Sequence, residues 1–470
     1  MPADLRSFPG TASQIKNITY NWSHTFQEEY LMKLSRACCP AGTVLLIVLF
    51  ILTCGCDYVP NHDIIVMKLH PDGSAAWTRT LDTGSDDTAG DIIEIQEGEL
   101  VIAAGNASRE YESPSPKLTR LAADGTLLAD IPCPSLSGEL TSVIQTRDGN
   151  LSAATYDGEV GRFDRDGNLI GATPTGMTGV WALAATAGGG IAAAGQSWTQ
   201  YPTGSVPVYD TNGTLVTRAP LPNETMVTPG CRETILMAGE REIPVTECAA
   251  PMRTASQAAV TLLDRNGSII WQKGYGASGL ESFWSLAAAD GGQEYYLSAF
   301  GPVAGPDGNP VNHRYAVSLH GDGSVGWITD LGTASQYYPS PWDLRQGRAR
   351  VIIPAEYQAE NNSTGIRPEA VDFDAGGRIT GRIIIPANRI ITTTSDNGFF
   401  SAGFPTSEGS ADYSEMTGNA GGKIHAMKFR ADGSREWDRP VGDGTANTIQ
   451  TVIQTADGGY VILALRQNPV

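Results

Sequence analysis

The sequence predicts an all-β protein assembled from one repeated pair of hairpins. Near the C-terminus, residues 451–464 contain two short apolar runs joined by Asp457-Gly458-Gly459, and residues 427–437 form a second hairpin pattern around an Asp-Gly-Ser turn. Both patterns recur along most of the chain, and 54 Gly and 28 Pro are spread through it, as expected for many turns. A near-constant repeat of this size is typical of a β-propeller or a solenoid.

The Asp-Gly-Ser type of hairpin occurs eight times, aligned on the glycine of its turn. These glycines are Gly73, Gly125, Gly167, Gly213, Gly267, Gly323, Gly377 and Gly433. Asp-Gly and Asn-Gly at these turns favour a two-residue hairpin in which both residues take positive φ. In four copies a tryptophan follows four residues after the glycine, where we expect it to pack between adjacent blades: Trp77, Trp271, Trp327 and Trp437.

The other hairpin type follows each of these copies and should form the inner strands. Its copies cover residues 92–105, 141–154, 181–195, 227–239, 284–301, 343–355, 390–403 and 451–464. The repeat region opens on one hairpin type and ends on the other, so joining its two ends completes a blade and leaves no open edge. We therefore predict a single eight-bladed β-propeller, closed by two N-terminal and two C-terminal strands in one blade. Seven blades is the alternative, because the copies around Cys231 and Gly347 have degraded turns.

These blades resemble the repeats of exported bacterial and archaeal β-propellers. In those repeats a strand ending in Asp-Gly-Gly-Tyr-x-Ile precedes one like Val-x-Leu-Asp-x-x-Gly-x-x-x-Trp, and the similarity runs through about four hundred residues here. The blades are also similar to quinoprotein-type blades, with Asp264, Gly267 and Trp271 as the nearest copy and one residue fewer between Asp and Gly. The resemblance implies a propeller, and it does not imply an enzyme.

The N-terminal region predicts export. Residues 42–53 carry no charge and follow Lys33 and Arg36, which is typical of a secretory signal and short for a membrane-spanning helix. Residues 52–56, Leu-Thr-Cys-Gly-Cys, resemble a lipoprotein signal with Cys56 as the lipidated residue; an uncleaved membrane anchor is the alternative. The expected organisation is a non-native extension (1–31), a signal or anchor (32–56), a tether (57–62) and the propeller (63–470). We expect the protein on the outer surface of the cell membrane or outside the cell.

Composition excludes some functions and leaves others open. A net charge of −19 argues against nucleic-acid binding, which needs a surface rich in Lys and Arg. The chain lacks the cysteine and histidine spacings of metal sites, so we predict no metal and no cofactor. Cys231 and Cys248 flank one short region and are candidates for a disulfide in an exported protein.

The candidate binding residues lie in connections that should share one face of the propeller. Aromatic residues in polar loops suit recognition of a protein or a glycan, although the same residues could simply pack the loops. The candidates in the longer connections are Trp198, Tyr201 and Tyr413, and those in the connections into the inner strands are Tyr337, Tyr338 and Trp342. The connections into the inner strands also place Asp86, Asp87, Glu139 and Glu281 on this face.

No catalytic motif is evident, and no two carboxylates are singled out as a hydrolytic pair. We predict a monomeric, noncatalytic binding module at the cell surface with a protein or glycan partner. The alternative is an extracytoplasmic propeller enzyme, either a glycan hydrolase or a quinoprotein-like oxidoreductase. Converging polar groups with perturbed pKa values at the mouth of the central channel would favour the enzyme.

Overall fold

A computed structural model describes most of the propeller. The described ranges are 61–107, 114–202, 206–209, 215–219, 231–238, 241–248, 252–289, 292–304, 310–334, 342–344, 349–358, 364–387, 390–404 and 423–468. The predicted signal, Cys56 and most of the predicted tether lie outside these ranges. Within them, neither of the two short helical segments, Gln96–Gly98 and Gly276–Ser278, has the length to cross a membrane.

Seven four-stranded antiparallel sheets form the propeller. The chain begins with β1 (His62–Leu69) and β2 (Ala75–Leu81). Blade 1 contains β3 (Asp86–Glu94), β4 (Leu100–Ala107), β5 (Ser115–Leu121) and β6 (Leu127–Pro132). Blade 2 contains β7 (Leu140–Gln145), β8 (Leu151–Thr155), β9 (Glu159–Phe163) and β10 (Leu169–Pro174). Blade 3 begins with β11 (Gly179–Ala185) and β12 (Ile191–Pro202).

Two separate hairpins then interrupt blade 3. They are β13 (Val206–Tyr209) with β14 (Leu215–Ala219), and β15 (Cys231–Ala238) with β16 (Arg241–Cys248). The blade resumes with β17 (Met252–Leu263) and β18 (Ile269–Gly274). Blade 4 contains β19 (Ser282–Ala288), β20 (Glu294–Ala304), β21 (Pro310–His320) and β22 (Val325–Thr333).

The last blades return the chain to its start. Blade 5 contains β23 (Trp342–Asp343), β24 (Ala349–Gln358), β25 (Thr364–Phe373) and β26 (Ile379–Ile384). Blade 6 contains β27 (Ile390–Thr393), β28 (Phe399–Gly403), β29 (Ile424–Phe429) and β30 (Arg435–Val441). Finally β31 (Thr448–Gln454) and β32 (Tyr460–Gln467) join β1 and β2 in the order β2-β1-β32-β31, which we call the closing blade. The predicted closure by two strands from each end is confirmed.

The prediction of eight blades was wrong, and seven blades, the stated alternative, is correct. The repeat around Gly213 does form a hairpin, β13–β14, but no four-stranded sheet includes it. Instead β12 pairs with β17 across the insertion, from Ile191 opposite Leu263 to Pro202 opposite Met252. Hairpin signals are local, whereas the choice of the third strand depends on pairing between segments far apart in sequence. The spacing of the turn glycines therefore led to the hairpin around Gly213 being predicted as part of an eighth blade.

The buried core is divided among the blade interfaces. In the described part of the chain, seven apolar clusters occur, one between each pair of neighbouring blades. Ile64 and Val461 of the closing blade, for example, pack with Ile92 and Leu100 of blade 1. The middle strands of each blade are buried, while the outermost strands, such as β6 and β10, are largely exposed. Burial of apolar area between blades is therefore the main stabilising term of this fold.

The recurring tryptophan links neighbouring blades, as predicted. The Trp77 indole Nε1 donates to the Ala123 carbonyl at 2.8 Å, and its ring covers Gly125, where a Cβ would lie 2.7 Å from the ring. The same contact joins Trp437 to Gly73, Trp271 to Gly323 and Trp327 to Gly377. Ile131, Arg162 and Ile383 occupy the equivalent position against Gly167, Gly267 and Gly433. Each glycine thus lies under a side chain from the preceding blade.

The turns themselves differ from the prediction. Gly73 has a φ of 82°, but the Asp before it does not share the positive φ; in the described residues the single non-glycine residue with positive φ is Asn397. Gly73 N donates to His70 O at 2.9 Å, and the Asp72 carboxylate accepts from Ser74 N at 2.9 Å. The strand register also shifts between Lys68 and Leu69. These features describe a longer turn with a glycine bulge, in which Asp serves as a cap.

The alternation of strands gives the propeller two different faces. The face that carries the turns within each hairpin, such as 95–99 and 122–126, is called the turn face. The opposite face, which carries the connections between hairpins, is called the loop face. Blade 2 has a tight connection there, residues 156–158, because β8 ends at Thr155 and β9 begins at Glu159. In blades 3 and 4 the middle strands continue as two-stranded ribbons, to Pro202 opposite Met252 and to Ala304 opposite Pro310.

Candidate functional site

A pair of stacked tryptophans joins the inner strands of blades 3 and 4. The rings of Trp181 (β11) and Trp284 (β19) are 4.9 Å apart at an interplanar angle of 8°. Both residues occupy bulges, where the register shifts between Val180 and Ala182 and between Phe283 and Ser285. A bulge inserts an extra residue and redirects its side chain. Since inner strands border the central channel of a propeller, the pair lies at the channel wall.

The stack extends into a row of four rings. Tyr156, in the tight connection of blade 2, contacts Trp181 edge-on at 5.0 Å, and its side chain is 38% exposed. At the other end, Trp284 contacts the buried Phe300 edge-on at 6.4 Å. The Arg314 guanidinium lies 5.3 Å from the Phe300 ring centre and donates to Pro354 O at 2.6 Å. One end of the row is therefore covered by a cation from the same chain, while the Tyr156 end meets solvent.

Two half-buried glutamates flank this row along the chain. The backbone carbonyl of Glu139 accepts from Tyr156 N at 2.8 Å, and Glu281 N donates to Phe300 O at 2.7 Å. Burial raises the pKa of Glu139, more than the neighbouring Thr88 hydroxyl lowers it. Burial alone raises the pKa of Glu281. Neither carboxyl forms an ion pair within the described residues, so both lack the compensation that a buried carboxylate usually receives.

Buried polar atoms without a hydrogen-bond partner among the described residues include two near this row. One is the Ser282 hydroxyl, next to Glu281 in sequence, on a side chain only 5% exposed. The other is the Trp181 indole Nε1. Buried polar groups in native proteins are almost always satisfied, and exceptions commonly mark sites that a ligand or water completes.

Asp91 links two inner strands. Its carboxylate accepts from Val143 N at 3.1 Å and from the Ser142 hydroxyl at 3.2 Å, both in β7, and from Ile92 N at 2.8 Å. Burial raises the pKa of Asp91 to about 6, against the lowering effect of these hydrogen bonds. Since every donor comes from the backbone or a serine of the inner ring, this carboxylate holds blade 1 to blade 2.

A second acidic group lies on the loop face between the closing blade and blade 1. Carboxylate oxygens of Asp63, Asp82 and Asp87 lie within 4.8 Å of one another. Arg466 and Asn468 donate to Asp63, and Lys117 and Thr83 donate to Asp87. Burial raises the pKa of Asp87, although these donors oppose it. Arg466 and Lys117 of the same chain already compensate the buried carboxylates of Asp63 and Asp87. We therefore interpret this group as an ionic network that stabilises the contact between the closing blade and blade 1.

The structure separates the predicted binding residues. Trp342 begins the inner strand β23, half-buried, with its ring 5.6 Å from Tyr296 and 6.0 Å from Phe373. It therefore packs against the aromatic core between blades 4 and 5. Trp198 and Tyr201 lie in the ribbon of blade 3, opposite Ser256 and Arg253 in the register. The remaining candidates, Tyr337, Tyr338 and Tyr413, lie outside the described residues, and a binding role for all six stays a prediction.

The cysteines are also placed. Cys231 and Cys248 stand directly opposite each other at the base of the β15–β16 hairpin. This register is compatible with the predicted disulfide, which stays a prediction. Cys133 is buried, and burial raises the pKa of its thiol to about 11, so it is an unreactive packing residue.

Glu139 and Glu281 lie on the predicted face, whereas the tryptophan stack was not predicted. Trp181 and Trp284 stand at the start of their inner hairpins, and a tryptophan at that place in two successive true blades was the available signal. The signal was hidden because the insertion lengthens the separation of the two residues to 103 positions, and because the insertion was counted as a blade.

Comparison with known proteins identifies no family. No family model and no curated protein matches this sequence. Among solved structures, BamB from Moraxella catarrhalis is similar at 12% identity and a TM-score of 0.38, over 85% of this chain and 91% of that one. The WD40 β-propeller domain of Doa1 is similar at 10% identity and a TM-score of 0.43, over 82% of this chain and 95% of that one. At these levels the likeness concerns the fold and says nothing about function.

Proposed function

We propose that this protein is a noncatalytic binding module whose site is the channel mouth on the loop face, with a protein or glycan as partner. The observation that carries the proposal is the Trp181–Trp284 stack, with one end of its row open at Tyr156. Aromatic faces give large contact area at little conformational cost, which suits both protein and saccharide recognition. The ribbons of blades 3 and 4 extend beyond the stack and supply further surface for a partner.

The alternative of an enzyme is less well supported by Glu139 and Glu281, the two carboxyls whose pKa values are raised. Glu139 belongs to blade 2 and Glu281 to blade 4, so the inner strand of blade 3 lies between them. A glycan hydrolase needs two carboxyls at a defined short separation across one bond. The geometry therefore favours two separate contacts with a bound partner over one hydrolytic pair.

Binding is tested with a glycan array and a peptide array, probed with the full-length chain and with a Trp181→Ala/Trp284→Ala variant. We expect a ligand that binds the wild-type chain and is lost by the variant, while thermal unfolding shows that the variant is folded. A ligand bound equally well by both chains would place binding elsewhere and overturn the proposal. A ligand that is chemically changed during incubation would show an enzyme instead.

We further propose that the protein is exported and attached to the outer surface of the cell membrane through Cys56. The support is the uncharged segment 42–53 followed by Leu-Thr-Cys-Gly-Cys. A Cys56→Ser variant should move from the membrane fraction to the soluble extracytoplasmic fraction, because it cannot be acylated. Retention of that variant in the membrane would indicate an uncleaved anchor.

A further inference from the structure

We propose that the open end of the Tyr156–Trp181–Trp284 row binds a cationic side chain, lysine or arginine, from a segment of a partner protein. This inference rests on the proposed function, since it names the ligand class of the same site. It is carried by the geometry of the row, the charges around it and the unsatisfied indole N–H of Trp181.

The row offers the surface that a cation prefers. The face of an indole carries negative electrostatic potential, and a guanidinium or ammonium within about 6 Å of the ring centre is attracted to it. The far end of the same row already shows this contact, because the buried Arg314 lies 5.3 Å from the Phe300 ring centre. Arg314 lies at the Phe300 end, and Trp284 and Trp181 lie between Phe300 and Tyr156. Among the described residues no cation lies over the Tyr156 ring, so this solvent-exposed end can take a cation supplied by another molecule.

The charges along the row favour a cation. Glu139 and Glu281 are half-buried and flank the row at its Tyr156 end and its Phe300 end, and neither has a cationic partner among the described residues. Some half-buried carboxylates of the described chain do have one, as Glu99 has Arg120, whereas Asp91 is held by backbone and serine donors alone. A bound lysine or arginine would supply the missing charge. A chain of net charge −19 would also attract a basic partner at long range.

A peptide segment fits better than an isolated cation. The Trp181 indole Nε1 is a buried donor without an acceptor, and a peptide carbonyl is an acceptor of the required kind. A basic peptide brings both the positive charge and this hydrogen-bonding group.

The test measures binding of a fluorescently labelled oligolysine peptide to the full-length chain by anisotropy. An oligoglutamate peptide and a neutral Gly-Ser peptide serve as controls for charge. We expect roughly tenfold weaker oligolysine binding in a Glu139→Gln/Glu281→Gln variant and in Trp181→Ala/Trp284→Ala. The matched control is Asp166→Asn, which removes a charge from an exposed turn on the opposite face and should leave binding unchanged.

The outcomes separate the inference from the function on which it rests. Equal weakening by Asp166→Asn and by the glutamate variant would show attraction to net charge alone and would overturn the inference. Failure of oligolysine to bind, together with a glycan or acidic peptide that depends on Trp181 and Trp284, would overturn the cationic ligand and keep the binding module. The glutamate variant preserves side-chain shape, so it remains informative if the tryptophan variant does not fold.

Discussion

The turn face and the loop face of this propeller are built on different principles. On the turn face every blade repeats one arrangement, in which an Asp-capped turn ends in a glycine covered by a side chain of the preceding blade. On the loop face the blades differ, with a tight connection in blade 2 and ribbons in blades 3 and 4. Glu139 and Glu281 on this face form no ion pair with any residue that the structure describes. The same stabilising contact is thus repeated in every blade on the turn face, so the connections on the loop face can differ from blade to blade.

The largest expected effect comes from replacing one glycine on each face by alanine. Gly125 and Gly84 have similar φ values, 83° and 75°, but a Cβ on Gly125 would lie 2.7 Å from Trp77, whereas none lies within 4 Å at Gly84. Gly84→Ala should cost about 1 kcal/mol from backbone strain alone. Gly125→Ala should cost about 3 kcal/mol, because the Trp77 ring must also leave its packed position.

Urea unfolding of the two variants measures this difference directly. Equal losses of unfolding free energy would mean that the tryptophan cover adds nothing to stability. The turn face would then be no more constrained than the loop face.

A smaller effect concerns the ion pairs of the turn face. Lys68 donates to Asp457 at 2.9 Å and Lys428 to Asp396 at 2.7 Å. Partial burial would raise the pKa of each aspartate. Hydrogen bonds from its lysine, a threonine and a backbone N–H outweigh this effect and lower the pKa to about 2, below the ordinary 3.8. Since the folded pKa is depressed, the stabilisation is complete above pH 4 and is lost as the pH falls toward 2.

Asp396→Asn/Asp457→Asn should therefore flatten the loss of unfolding free energy between pH 4 and pH 2. Both carboxylates are more than half exposed, so we expect only about 0.5 kcal/mol from each pair. Lys68→Met/Lys428→Met should produce part of this flattening, because it removes the lysine while the threonine and backbone hydrogen bonds to each aspartate remain. If the unfolding free energy of both variants depends on pH as it does in the wild type, these ion pairs do not contribute to stability.

The local parts of the fold could be read from the sequence, and the pairings between distant segments could not. The positions of the Asp-Gly turns, the tryptophan four residues later and the shared closing blade were predicted and are found, because each depends on a short pattern or on the order of hairpins. The type of turn was wrong, since these turns are longer than the predicted two-residue hairpin. The copy at Gly213 also forms a hairpin, but whether a hairpin joins a blade depends on β12, which pairs with β17 instead. The ring contacts of Trp342 with Tyr296 and Phe373 likewise join residues of different strands, which no local pattern predicts.

By itself the sequence determined the class of fold, the positions of its turns, the acidic charge and the expectation of export, because these follow from composition and from patterns shorter than one hairpin. Only the tertiary structure decided the number of blades and the candidate site. Trp181 and Trp284 are 103 residues apart in the chain and 4.9 Å apart in space, since β12 pairs with β17 across the insertion and blade 3 packs on blade 4. Contacts of this kind depend on which strands pair across an insertion, and no local pattern records that choice.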